Sequence, residues 1–261
     1  MGFLIGAAFA VAVVAGARGT WSPCGLSMVS AINPMSERSR GYRYWLTAVW
    51  FVLGSLVGSL AIGVAAAVIA FGLSVTSLSG SVLLALAGLG ALVTLASDLA
   101  LGGFRLPSHP RQVNELWLMQ YRRWLYASGF GVQIGSGFAT YIMTAGNYLV
   151  VALAGLTASP QLAFAIALCF GLVRGLAVLL TARCRSTAAL QSLHRRLAAW
   201  EPTSLRVVEV VEAAVVVSSA FVLGGLAMAF AAGLVVLAVC FGPRWFAVRR
   251  LGRRKDSVQF S

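Results

Sequence analysis

The sequence predicts an all-α integral membrane protein of six or seven transmembrane helices, seven preferred, built as two inverted three-helix repeats plus a terminal helix. Three observations carry this expectation. Hydrophobic residues make up 59% of the 261 positions and charged residues 10%, with a mean hydropathy of +0.88, whereas a soluble domain is about a quarter charged. Apolar runs long enough to cross a bilayer recur along the chain. Eighteen of the 20 basic residues fall in three connections and the tail. Together these exclude a soluble enzyme, a disordered chain and a disulfide-stapled secreted domain.

The first apolar segment covers 3–17 and continues past an interruption to 32. Met1-Gly2-Phe3-Leu4 supplies no cationic region ahead of it, so it does not read as a cleaved signal peptide. Gly6, where Ser or Thr would be needed, fails the myristoylation pattern. Further segments follow at 45–72, 79–101, 127–157, 160–181 and 207–242. The last is longer than one span requires and carries Gly224-Gly225 at its middle, so it is either one long helix projecting from the bilayer or a tight hairpin of two short spans.

Charge orders the topology. Connection 33–44 holds Arg38, Arg40 and Arg43, connection 102–126 holds Arg105, Arg111, Arg122 and Arg123, and connection 182–206 holds five arginines. The tail 243–261 holds six basic residues, and the short connections 73–78 and 158–159 hold none. Basic loops stay cytoplasmic. With the N-terminus outside, seven spans put all four basic segments on the cytoplasmic side, and six would leave the tail outside. The single lysine against 19 arginines, with much Ala, Gly, Val and Leu, suggests a GC-rich bacterial genome and hence a multi-pass plasma-membrane location. The chain reads as one polytopic domain over 1–261: repeat one at about 1–101, a connection at 102–126, repeat two at about 127–223, and a terminal helix with basic tail at 224–261.

The net charge of +13 is accounted for by this bias and by attraction to anionic headgroups. The bilayer is therefore an expected partner and nucleic acid is not. Two connections suit amphipathic helices in the interface. In 188–200, Leu190, Leu193, Leu197 and Trp200 recur opposite Gln191, His194, Arg195 and Arg196; in 111–125, Trp117, Tyr121 and Trp124 mix with Arg122 and Arg123. His109 and His194 have no companions at metal-ligand spacing, and the four cysteines form no CxxC, so neither a metal nor a cofactor is expected.

The interruption of the first segment reads Arg18-Gly19-Thr20-Trp21-Ser22-Pro23-Cys24-Gly25. Ser22 suits an N-cap, Pro23 a first helical position, and Cys24 then falls in the first turn. There the helix dipole and free amides favour a thiol's anion, the nucleophilic form, and Arg18 would add to this if it faced the same cavity. A broken membrane helix is tolerated where it lines a cavity or is buried in protein. Gly19 to Leu26 resemble the Ser-Pro-Cys motif of the CcdA and DsbD membrane domain, part of a wider set of small LysE-like transporters built from inverted repeats. The resemblance implies carriage of reducing equivalents across the membrane between thioredoxin-like proteins on either side.

Under that resemblance the fourth span should echo the first. Gln133, Ser136, Thr140, Thr144 and Asn147 step by three and four, which on a continuous helix places them on one face, as a pathway lining or an interhelical contact. The family's second redox cysteine in this helix is missing here; Cys169 is the other mid-membrane thiol, with Cys184 and Cys240 nearer the ends. Asp98, Arg174, Glu209 and Glu212 form a candidate intramembrane charge cluster, with Arg174 the expected counter-ion of the acids. Two functions follow as expectations. One is a thiol-disulfide conduit with Cys24 and Cys169 as its redox pair. The other is a small-solute transporter using Arg18, Ser22, Pro23 and the Gln133, Ser136, Thr140, Thr144 stripe as a midplane site.

Overall fold

The computed structural model describes residues 1–76, 78–108 and 120–256, with side chains to residue 240. Among the described residues the fold is all helical, without strands. Five helical stretches are long and apolar enough to cross a membrane: Gly2–Trp21, Tyr44–Thr76, Gly80–Asp98, Pro160–Thr181 and Thr187–Cys240. The chain is thus a multi-pass membrane protein.

Helix α1 (Gly2–Arg18) ends in a short 3-10 turn, and α2 (Pro23–Ala31) resumes after Ser22. A short α3 (Pro34–Ser39), capped by the Asn33 side chain, leads into α4 (Tyr44–Thr76) and α5 (Gly80–Asp98). The fourth apolar segment, read from sequence as one helix over 127–157, is instead split into α6 (Arg123–Gly135) and α7 (Gly146–Leu156). Gly135-Ser136-Gly137 ends α6, with Gly137 at φ +68, a left-handed conformation that glycine adopts without steric cost. Both interrupted segments are thus two helical halves about a joint, which is a 3-10 turn and Ser22 in the first and residues 136–145 in the second. Helices α8 (Pro160–Leu176) and α9 (Thr187–Asp256) complete the chain.

Helix α4 is the centre, packing on α6, α7 and α8; α1 packs on α7, α8 and α9, and α5 on α9 and α7. Close approach of α4 and α6 rests on reciprocal glycines. A Cβ on Gly54 or Gly58 would strike the backbone of Ser128 or Val132, and one on Gly131 or Gly135 would strike Phe51 or Ser55. Gly2 and Gly6 face open space and serve no such contact.

Within α9 the backbone leaves helical geometry at Gly224 and at Gly225, which has φ +67. Val215, Val216 and Val236 belong to one buried cluster with α5 and α7. A straight helix would carry Val236 roughly 30 Å beyond Val215, past the end of α5, since Ser219 already faces Gly88. The helix is therefore broken at the glycine pair, and its second part does not continue the line of the first. The stretch 188–200 is the first part of α9 rather than a separate interfacial helix. Leu190, Leu193 and Leu197 pack inward, while Trp200, on the same helical face, is exposed. His109 and most of 111–125 lie outside the described residues.

Candidate functional site

The first joint is built locally. The Ser22 hydroxyl donates to the Gly19 carbonyl at 2.7 Å and accepts from the Gly25 amide at 3.0 Å, so it both closes the 3-10 turn and caps α2. Pro23 opens the helix, where its missing N–H costs nothing. Cys24 follows in the first turn, fully buried with Met28, Phe51, Phe130, Ile134 and Val178.

The cation beside this thiol is Arg174, not Arg18. Arg174 reaches from α8 to the joint, and a Cβ on Gly19 would collide with its guanidinium. Cys24 is the titratable group that acts on it. Its side chain is buried, its guanidinium carbon stands 5.3 Å from the Phe170 ring centre, and Nε and Nη2 have no hydrogen-bond partner among the described residues. A buried guanidinium with open donors is stabilised by an anion. One turn earlier, Phe170 lies against Gly137 of the second joint. A single turn of α8 thus stands between the two joints.

Arg18 turns the other way. Its Nη1 donates to the Ser204 hydroxyl at 2.7 Å and the Glu201 carbonyl at 3.2 Å, and Asp98 and Glu209 also act on it. The expected intramembrane cluster therefore divides. Asp98 and Glu209 each act on Glu212 and on Arg18; Arg174 is with Cys24. Glu212 is 1% exposed, and neither carboxylate oxygen has a hydrogen-bond partner among the described residues.

Asp98 has a defined role at the second joint. It accepts from the Ala145 amide at 2.6 Å and from the Thr144 hydroxyl, and Thr144 in turn accepts from the Gly146 amide at 3.0 Å. A carboxylate from α5 thus caps α7. The joint also holds Asn147, whose Nδ2 donates to the Gly137 carbonyl at 2.9 Å, and Thr140, buried with no partner for its hydroxyl among the described residues. Because α6 stops at Gly135, Gln133 is on a helix while Ser136, Thr140 and Thr144 are in the joint. They do not form the single helical face that their spacing suggests.

Cys169 is half-buried and lies outside the cluster around Cys24. It is about 140° around α8 from Arg174. None of the four cysteines is in a disulfide.

The first part of α9 covers the Cys24 joint. Trp21 Nε1 donates to the Leu197 carbonyl at 2.7 Å, His194 lies 3.2 Å from the Ser30 hydroxyl, and Leu197 joins the cluster around Cys24. Below it, Glu37 is a site that sequence reading missed. This fully buried carboxylate accepts from Tyr126, Thr47 and Arg40, tying α3 to α4 and α6. The available signal was its position as the one acidic residue in a strongly basic connection.

Comparisons with known proteins set these joints in context. The chain is 31% identical over 175 residues to methylamine utilization protein MauF of Paracoccus versutus, covering 64% of this chain and 61% of that protein. It is 30% identical over 154 residues to MauF of Methylorubrum extorquens, covering 56% of this chain and 52% of the relative. It is 28% identical over 211 residues to MauF of Methylophilus methylotrophus, covering 78% and 71%. The matched region thus spans between half and three-fifths of the first two relatives. No protein-family model matches the chain, and no solved structure does.

Proposed function

We propose that this chain is a seven-span membrane protein that exchanges thiol and disulfide through Cys24, on a scaffold of two inverted repeats with the N-terminus outside and the tail cytoplasmic. The supporting observation is the pairing of Cys24, in the first turn of a half-helix, with the buried Arg174 guanidinium. The half-helix N-terminus and the guanidinium both direct positive potential at the sulfur. As a thiolate, Cys24 attacks a disulfide of a partner protein. An S–S bond forms between Cys24 and the partner, and the partner's other sulfur leaves as a thiolate and takes up a proton. One thiol of a thioredoxin-like dithiol then attacks the Cys24 sulfur of the mixed disulfide and expels the partner's sulfur as a thiolate that takes up a proton; its second thiol displaces Cys24 as thiolate and closes the dithiol's own disulfide. The net change is one disulfide reduced and one dithiol oxidised. This hand-over at a single sulfur fits a chain in which Cys169 does not accompany Cys24. By analogy with the MauF proteins, the partners serve methylamine utilization.

Trapping tests the reading. Membranes are mixed with a thioredoxin-like protein lacking its resolving cysteine, then resolved without reductant. A mixed disulfide that survives Cys169→Ser and vanishes with Cys24→Ala is expected. No adduct, or one that persists in Cys24→Ala, overturns it. The topology fails separately if a reporter fused after Ser261 reads as extracytoplasmic.

A further inference from the structure

Beside the second joint lies a cavity of about 240 Å³ that the thiol chemistry does not use. This is several times the roughly 30 Å³ share of one water, enough for a small organic molecule. Arg18, Asp98, Arg105, Tyr141, Thr144 and Tyr148 are among its walls. Its carboxylate and its Ser97 hydroxyl already accept hydrogen bonds. Asp98 accepts from Thr144 and Ala145, Ser97 Oγ accepts from the Leu106 amide at 2.9 Å, and the Tyr148 hydroxyl spends its proton on the Pro107 carbonyl at 2.6 Å. Its donors are in part open. Arg18 is 4% exposed; it gives Nη1 to Ser204 and Glu201 and stands 3.9 Å from the Glu201 carboxylate, but its Nε is unpartnered among the described residues. The Arg105 guanidinium and Tyr141 hydroxyl have no hydrogen bond to any described residue. With Arg18 paired to Glu201, Arg105 is the cation without a dedicated carboxylate, because Asp98 also answers the positive end of α7.

We infer that this cavity binds a small organic monocarboxylate, held between Arg18 and Arg105 with Tyr141 as a third donor. A guanidinium offers a carboxylate two parallel charge-assisted bonds, and a partly desolvated pocket strengthens them. An organic ammonium ion would meet the like charge of Arg105 and an Asp98 carboxylate already engaged by Thr144 and Ala145. What is inferred is therefore an anion site and not a methylammonium site, despite the name carried by the relatives.

The test is calorimetric titration of the purified protein in detergent with pyruvate, using methylammonium chloride and sodium chloride as controls. It is done on Cys24→Ser protein, so that failure of the thiol chemistry leaves the result untouched. Saturable pyruvate binding is expected, weakened at least about tenfold by Arg105→Gln and less by Tyr141→Phe. Arg105 is exposed, so its substitution leaves the fold intact even if Arg18→Gln does not. Absence of saturable pyruvate binding, binding unchanged in Arg105→Gln, or saturable methylammonium binding overturns the inference.

Discussion

The two joints present the same physical problem and solve it with different groups. Each exposes a half-helix N-terminus inside an apolar bundle, where unpaired amides and the dipole call for negative charge. At α7 that charge is the Asp98 carboxylate from α5, fixed by Thr144 and Ala145. At α2 the hydroxyl of Ser22 closes the cap, and the position facing the cation belongs to Cys24. A carboxylate held by two donors is a permanent part of the wall. A sulfur can form and lose a covalent bond. The same geometry therefore makes the α7 joint structural, and in the proposed reading it leaves the α2 joint to the chemistry.

The largest expected effect breaks this pairing directly. Arg174→Gln removes the buried cation beside Cys24, and alkylation of Cys24 in membranes should slow by roughly ten- to a hundredfold. Arg174→Lys should restore part of the rate. Asp98→Asn, at the other joint, should leave the rate within about twofold. Equal slowing by Arg174→Gln and Asp98→Asn would show that the joints act as one electrostatic unit.

The second effect is on stability and runs in the opposite direction. Asp98→Ala strips α7 of its cap and leaves the Ala145 amide and Thr144 hydroxyl without their acceptor, a loss of about 1–3 kcal/mol. The melting temperature in detergent should fall by several degrees. Cys24→Ala, which removes a small buried group, should fall less. A larger loss for Cys24→Ala would make the thiol the structural member of the pair.

What could be read from sequence follows the range of the interactions. The Ser22-Pro23-Cys24 start of α2 was legible because cap, proline and first turn are neighbours in the chain. So was the break at Gly224-Gly225, whose conformation depends on glycine itself. The assignment of cations was not. Arg18 is near Cys24 in sequence but bonds to Ser204, and Arg174 arrives from another helix. The polar stripe was misread because three- and four-residue spacing marks a face only where the backbone stays helical, and Gly135-Ser136-Gly137 ends the helix before most of the stripe. Glu37 escaped notice because its partners Tyr126 and Thr47 lie on other helices.

A third prediction concerns the cover. Leu197 and Trp21 close the Cys24 joint under the first part of α9. Leu197→Ala or Trp21→Phe should speed Cys24 alkylation severalfold, because each weakens a contact that must open for reagent to enter. Unchanged labelling in both variants would place the access route elsewhere.

The smallest expected difference compares the caps residue for residue. Thr144 donates to Asp98 and accepts from the Gly146 amide, so Thr144→Val deletes two bonds. Asp98 still holds the Ala145 amide, so α7 keeps its charged acceptor. Ser22 likewise donates to Gly19 and accepts from Gly25, and Ser22→Ala also deletes two bonds, but no carboxylate stands behind it. Each substitution should cost about 1 kcal/mol, with Ser22→Ala the larger. The distinguishing readout is Cys24. Without the Ser22 cap the first turn of α2 loosens, the thiol leaves its alignment with Arg174, and alkylation should change by a few-fold. Thr144→Val acts on the far side of the Phe170 turn and should leave it unaltered. If Thr144→Val changes Cys24 labelling as much as Ser22→Ala does, the turn of α8 between the joints transmits strain from one to the other, and they are a coupled pair rather than a wall and a reactive centre.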